Sequence, residues 1–384
     1  MIAVIADDLT GAAELAGIGL DYQLKTEFNT IVDSNSRADL LIIATDTRSL
    51  SATEAKQTMF ELTKQLMALK PRIIFKKIDS VLRGHILDEV NSQMLASGLK
   101  RALIVPGNPH HNKVVNNGSY YYNREPIHLS DYSIDPAFPI TSSDIKKMLR
   151  AKGSLPILKT HEQIPNTGII VGEAINETDL ANWIEIADEH TLIAGASGLF
   201  NSLLRHLVPV KPVTDKINTA RITPRLFVFG STFYQGKYPL NDDLIHNTPV
   251  AYIPKGIIVE DSPPAYLYAY YANHIMLKLA QYGSAIIAID HNTIRGLKIA
   301  PRQLSFKISA IVKCVSKQAA LQEILIEGGA TAWAILAALN ISKLYPLQQF
   351  GPGVMRMGVT GNNQLCVTLK PGSYEWPAPV WETN

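Results

Sequence analysis

Ile2-Ala3-Val4-Ile5-Ala6-Asp7-Asp8-Leu9-Thr10-Gly11-Ala12 sets five apolar residues before two adjacent carboxylates and the start of a segment with helical character. An unbroken run of small and β-branched residues reads as a strand buried on both faces, the kind found in parallel sheets. Asp8 or Thr10 stands where a helix N-cap belongs, so the strand passes directly into a helix. The alternation then repeats along the chain. Further short runs rich in Ile and Val fall at 40–44, 72–78, 102–105, 168–171 and 192–194, with helices expected between most of them. Ser51-Ala52-Thr53-Glu54 forms a capping box ahead of Met59, Leu62, Leu66 and Leu69, and Asn176 caps the segment that follows it. After residue 224 the pattern restarts, with strands expected at 226–229, 250–253, 285–289, 324–326 and 365–369 and a helix at 264–281. The predicted class is α/β, in two domains that are each a mainly parallel sheet flanked by helices.

A chain of 384 residues suits two domains of ordinary size. Pro209, Pro212 and Pro224 punctuate a polar stretch without periodicity, so residues 209–224 read as a linker between an N-terminal domain, 1–208, and a C-terminal one, 225–384. Residues 100–143 depart from the alternation: Pro106, Pro109, Pro126, Pro136 and Pro139 accompany the run Tyr120-Tyr121-Tyr122. That region reads as a long functional loop, the plainer alternative being an irregular surface excursion.

Composition narrows the function. With 46% hydrophobic and 18% charged residues the chain can bury a large core. A net charge of +2, its cations scattered, offers no basic stripe for a phosphate backbone, so nucleic acid is not an expected partner. Cys314 and Cys366 alone make neither a disulfide framework nor a thiolate metal site, which fits a reducing cytoplasm. Asp7 and Asp8 interrupt the first apolar run too early for a signal peptide. No uncharged apolar run approaches the roughly 20 residues of a membrane span. The expectation is a cytoplasmic protein without a membrane partner, and a homodimer is left open.

In open α/β sheets ligands gather beyond the carboxyl ends of the strands, which directs attention to the polar residues there. Asp7 and Asp8 are the first such place; capping explains one carboxylate and leaves the other without a role. An Asp-x-Asp phosphatase arrangement fits poorly because the two acids are adjacent. The second is Lys76-Lys77-Ile78-Asp79-Ser80-Val81-Leu82-Arg83-Gly84, where alternation puts Lys77 and Asp79 on one face and Lys76 on the other. An internal Lys–Asp pair is the plain account of that cluster. Arg83, expected at a helix start, favours an anionic ligand. Arg48, in Thr45-Asp46-Thr47-Arg48-Ser49, is as readily a solvated loop residue as a ligand. In the second half the strand ends are glycine-rich instead: Gly230-Ser231, Glu327-Gly328-Gly329-Ala330-Thr331 and Lys370-Pro371-Gly372-Ser373, which suits phosphate approached by backbone N–H groups. Gly230 to Lys237 is not a P-loop, because its spacing is wrong and Tyr238 replaces the Ser or Thr. HExxH, GxSxG and GxGxxG are absent, so zinc hydrolysis, serine hydrolysis and a classical dinucleotide fold lack support.

These segments, in this order, resemble the four-carbon acid sugar kinase family. Ala6-Asp7-Asp8-Leu9-Thr10-Gly11-Ala12 and Lys76 to Gly84 carry the likeness most specifically, followed by residues 195–199, Gly230-Ser231, 328–331 and Pro352-Gly353-Val354. The resemblance implies ATP-dependent phosphorylation of the terminal hydroxyl of a sugar acid such as threonate or erythronate. The acid would sit in the N-terminal domain and ATP in the C-terminal one. By the same likeness, Asp7 or Asp8 accepts the hydroxyl proton, and Arg83, Lys77, Asp79 and Arg48 meet the acid. Ser231, Gly328, Gly329, Ala330, Thr331 and Gly372 contact ATP, and Mg2+ bridges the phosphates with few direct protein ligands. The chain departs from the family where Ala330 replaces an acidic residue, where His85 replaces an Asn, in residues 370–375, and in the loop 105–111, which in the family ends in Gly-Arg. These departures motivate an alternative, a catalytically impaired sugar-acid sensor; a phosphatase with an aspartyl nucleophile is a second.

Overall fold

The computed structural model describes residues 1–134, 138–209, 222–230, 244–245, 247–290, 299–372 and 374–381. The chain divides into two compact units, Met1–Val213 and Thr214–Asn384. Most of the expected linker, 210–221, lies outside the described residues.

The first unit holds a sheet of parallel strands: β1 (Ile2–Ala6), β2 (Thr26–Asn29), β3 (Leu40–Ala44), β4 (Ile73–Lys77), β5 (Arg101–Val105) and, beyond the small sheet described below, β9 (Ile157–Leu158), β10 (Gly168–Gly172) and β11 (Thr191–Gly195). Their spatial order is β2-β3-β1-β4-β11-β5-β10-β9. Every residue of β1 and of β3 is buried, as their continuous apolar runs require. Helices α1 (Leu9–Asp21), α2 (Ala52–Ala68), α3 (Ile86–Ser97), α4 (Ile145–Met148), α5 (Glu177–Ile186) and α6 (Ser197–Leu207) accompany them. Asp8 caps α1, the Ser51–Glu54 box caps α2 and Asn176 caps α5. One core cluster joins Ala3, Ile5, Leu41 and Ile43 to Met59 and Leu66 of α2.

Strand order places the site. After β1 the chain leaves toward β2 on one side, and after β4 it leaves toward β5 on the other, although β1 and β4 are neighbours. Loops that part in this way open a crevice at the carboxyl edge of the sheet.

Region 100–143 is more ordered than a long loop. It contains β5 and a three-stranded antiparallel sheet: β6 (Lys113–Asn116), β7 (Ser119–Tyr122) and β8 (Glu125–Pro126). Tyr120, fully buried, ties this sheet down by donating from Oη to the carbonyls of Ser80 (2.5 Å) and Pro106 (3.1 Å). The prolines hid a hairpin because turn residues sit at each of its short corners.

The second unit orders its strands β13-β14-β15-β12-β16-β19-β18-β17: β12 (Arg225–Phe229), β13 (Leu244–Ile245), β14 (Thr248–Tyr252), β15 (Ser284–Ala288), β16 (Glu323–Glu327), β17 (Lys343–Gly351), β18 (Val354–Val359) and β19 (Asn362–Lys370). β14, β15, β12, β16 and β19 run parallel; β17, β18 and β19 form an antiparallel meander. The run at 365–369 is thus the end of a nine-residue strand. β17 and β18 escaped sequence reading because polar residues such as Gln348, Gln349 and Arg356 interrupt them. Gly351-Pro352-Gly353 is the turn between them, with Gly353 at φ +68°.

Candidate active site

Three carboxylates converge on one guanidinium at the carboxyl edge of the first sheet. Asp7 and Asp8 follow β1, Arg48 lies in the turn after β3, and Asp79 follows β4. Arg48 donates to Asp7 Oδ2 from Nε (3.0 Å) and Nη2 (2.9 Å), and Nη2 lies 3.2 Å from both Asp8 Oδ1 and Asp79 Oδ1. Arg83 pairs with Asp79 at two points, Nε to Oδ2 and Nη2 to Oδ1, each 2.8 Å, while the Val81 and Arg83 amides also donate to Oδ2. Gly84, at φ +94°, lets the backbone pass this cluster; a Cβ there would lie 3.4 Å from Arg48 Cγ and 3.6 Å from Asp7 Oδ2.

The three acids differ in character. Burial would push Asp79 up, but Arg48 and Arg83 outweigh it and hold the carboxyl well below its usual range. Asp8 is likewise lowered: against burial stand Arg48, Lys77 and the Thr10 hydroxyl, and the Gly11 amide donates to Oδ1 at 3.1 Å. Asp7 goes the other way. Burial dominates its Arg48 partner and raises it, and its Oδ1 is buried without accepting a hydrogen bond. A carboxyl raised above its ordinary value, with an unused acceptor oxygen, has the character of a general base.

Lysines 76 and 77 separate as alternation predicts. Lys76, wholly buried, lies 2.5 Å from Glu89 of α3, and Lys77 donates to the Ile78 carbonyl (2.8 Å) with Glu14 of α1 at 4.0 Å. The strand-end charges therefore pair as Lys76 with Glu89 and Asp79 with two arginines. Arg83 is not at the helix start: α3 begins at Ile86, and Arg83 sits in the preceding turn because Asp79 gathers that turn's amides.

In the second unit the glycine-rich ends fall on three adjacent parallel strands, β12, β16 and β19. Helix Gly329–Ala338 starts after Gly328, which has φ +93°, and Ala330 is exposed in its first turn. Gly230 packs so closely on Thr331 that a Cβ would come within 2.1 Å of Thr331 Oγ1. Gly372 follows β19, and Ser231 lies outside the described residues. Backbone N–H groups at such a helix start can meet phosphate, and the cradle has the glycines this requires.

Between these glycines lies a pair that sequence reading passed over. Glu327 and Lys370, both buried, end β16 and β19 with Oε2 and Nζ 3.2 Å apart, and Lys370 also donates to the Pro371 (2.8 Å) and Tyr374 carbonyls. Burial drives Glu327 up to about 7 despite Lys370, and drives Lys370 down. A charged residue closing an apolar strand was its visible signal. The second buried network, Arg225–Glu323–Arg356 with Thr368, lies toward the opposite ends of these strands and staples the sheet.

A doubly wound sheet with an acid–arginine cluster at its crevice, and a second unit with glycine-rich strand ends, define a two-unit α/β protein. Residues 2–203 match the family model described as a sugar-binding N-terminal domain, and the chain belongs to the four-carbon acid sugar kinase family. It is 27% identical over 373 residues to a D-threonate kinase of Salmonella typhimurium, covering 88% of this chain and 86% of that one. A 3-oxo-tetronate kinase of Burkholderia multivorans is 20% identical over 408 residues, covering 97% and 94%. A solved Haemophilus influenzae protein of the DUF1537 family has the same fold, with a TM-score of 0.70 at 18% identity over 97% of each chain. Among the described residues, no helix is long and apolar enough to cross a membrane.

Proposed function

We propose that this protein transfers the γ-phosphoryl group of ATP to the terminal hydroxyl of a four-carbon sugar acid of the threonate or erythronate type. The observation that carries the reading is the Asp7–Arg48–Asp79 cluster at the switch point of the first sheet. In this reading the acid occupies the N-terminal domain, 1–208, and nucleotide the C-terminal one, 225–384, with 209–224 as the linker in sequence. The kinase names of the relatives support the reaction class.

Phosphoryl transfer asks the protein chiefly for positioning and charge neutralisation. Asp7 accepts the hydroxyl proton as the substrate oxygen bonds to phosphorus and the bond to ADP breaks. Asp8 and Asp79, held ionised, keep Arg48 in place, and Arg83 and Lys77 line the acid's site. The Gly328 to Thr331 turn, Ser231 and Gly372 hold the phosphates, whose charge Mg2+ neutralises when bound. The test is ADP release with ATP, magnesium and both enantiomers of threonate and erythronate. Turnover on one of them is expected; silence across the panel, with ATP bound, would move the assignment to another acid. Loss of ATP binding as well would favour the sensor, which the exposed Ala330 motivates.

A further inference from the structure

Among the described residues, the cations around the carboxylate cluster each meet a carboxylate or a backbone carbonyl, with one exception. Arg48 serves Asp7, Asp8 and Asp79; Arg83 is paired at two points with Asp79; Lys76 serves Glu89; Lys77 donates to a carbonyl beside Glu14. Lys113, at the start of β6, is the exception. Only 6% of it is exposed, yet its Nζ meets no carboxylate among the described residues within ion-pair distance. It donates to a neutral hydroxyl, Ser80 Oγ, at 2.8 Å. The rings of Tyr132 and Tyr122 lie 5.1 and 5.9 Å from Nζ and meet each other edge to face.

A buried ammonium with one neutral hydrogen-bond partner is costly, and two aromatic faces offset part of that cost. An ammonium has three N–H donors, so an anion could take those that Ser80 leaves. The position is fixed relative to the cluster: Ser80 directly follows Asp79, and Tyr120 holds the Ser80 carbonyl to the small sheet. Burial lowers the pKa of Lys113, while Asp79 and Glu14 act in the opposite direction and so face it electrostatically. Tyr132 in turn senses Arg83 and Asp79.

Resting on the kinase reading above, we infer that Lys113, oriented by Ser80 and flanked by Tyr122 and Tyr132, is the residue that binds the substrate's carboxylate and selects acids over neutral polyols. Arg83 then organises Asp79, and the small sheet supplies the specificity for the acid group.

The experiment compares threonate and erythronate with their tetritols, which lack the carboxylate, in wild type and Lys113→Met. In wild type the acids should be strongly preferred. Lys113→Met should raise KM for the acid about 10- to 100-fold, as for loss of a charge-assisted hydrogen bond. Its kcat should hold within a few-fold, the tetritol values should stay unchanged, and Lys113→Arg should restore much of the KM. An unchanged acid KM, or equal losses on acid and tetritol, would overturn the assignment. If Lys113→Met does not fold, Ser80→Ala is the substitute: a several-fold rise in acid KM supports the inference and an unaltered one sinks it. If wild type phosphorylates no acid, the kinase reading falls separately, and calorimetry with threonate alone decides Lys113. Binding that Lys113→Met weakens would uphold its role; equal or absent binding would end it.

Discussion

Arg48 holds Asp7 by two hydrogen bonds to a single carboxylate oxygen, Oδ2, and leaves Oδ1 with none. The Nη2 that reaches Asp7 also lies 3.2 Å from Asp8 Oδ1 and from Asp79 Oδ1, so one nitrogen is shared among the three acids. Arg48 is therefore the common counter-charge of three acids that would otherwise repel one another at the end of a buried sheet.

Its removal should be expensive. Arg48→Met is expected to cost about 3–5 kcal/mol of folding stability, the usual consequence of stripping a buried charge of its partner. Arg48→Lys should fall between, since an ammonium keeps the charge but loses the paired Nε and Nη2 hydrogen bonds to Asp7 Oδ2. Asp8 and Asp79 are lowered in the folded chain, so their contribution is present above the ordinary carboxylate value of 3.8 and fades as pH falls through their folded values. The stability gap between wild type and Arg48→Met should thus be widest near neutrality and narrow below about pH 4. Denaturant titrations at pH 7 and about pH 3.5 measure it, and a gap independent of pH would count against the ion cluster.

Asp7 and Asp8 should separate kinetically. Asp7→Asn is expected to lower kcat by roughly 10²- to 10⁴-fold, the range for a lost general base, and to abolish the rise of kcat with pH that reports ionisation of a raised carboxyl. Asp8→Asn can still accept the Gly11 amide, so its helix cap should survive and its loss of rate be smaller. A kcat for Asp7→Asn within a few-fold of wild type would remove the base assignment.

Most of the frame was legible in the sequence. Continuous Ile and Val runs announced β1, β3 and β11, and the Ser51–Glu54 box announced α2, because burial on both faces and capping leave local signatures. What was not legible depends on distant partners. Arg48 read equally as a solvated loop residue or a ligand until β3 was laid beside β1, and nothing near Lys370 in sequence reveals Glu327 across the ladder from β16 to β19. The small sheet was hidden by its turn residues, and with it Lys113.

The glycine cradle can be tested without touching the acid's site. A methyl group on Gly230 would collide with the Thr331 side chain, which is buried and cannot retreat far. Gly230→Ala should therefore shift the turn that opens helix Gly329–Ala338 and weaken ATP binding about tenfold or more. Binding of the sugar acid alone, followed by calorimetry, should be unaffected. Equal ATP affinity in wild type and Gly230→Ala would place the phosphates elsewhere.

Glu327 gives the chain a pH dependence of opposite sign to that of Asp79. Its carboxyl is raised by burial from 4.5 to about 7, so between those values the folded chain keeps a proton that the unfolded chain has released. Stability from this group is full below about pH 4.5 and is lost as pH rises to about 7, an amount of about 3 kcal/mol on the usual conversion. Glu327→Gln cannot titrate, so the stability of wild type relative to this variant should decline across that window and level off above it. Chemical denaturation at pH 5, 6, 7 and 8 would show the decline. A difference that stays flat from pH 5 upward would mean that Lys370, 3.2 Å away, keeps Glu327 ionised in the folded chain and that the pair is an ordinary salt bridge.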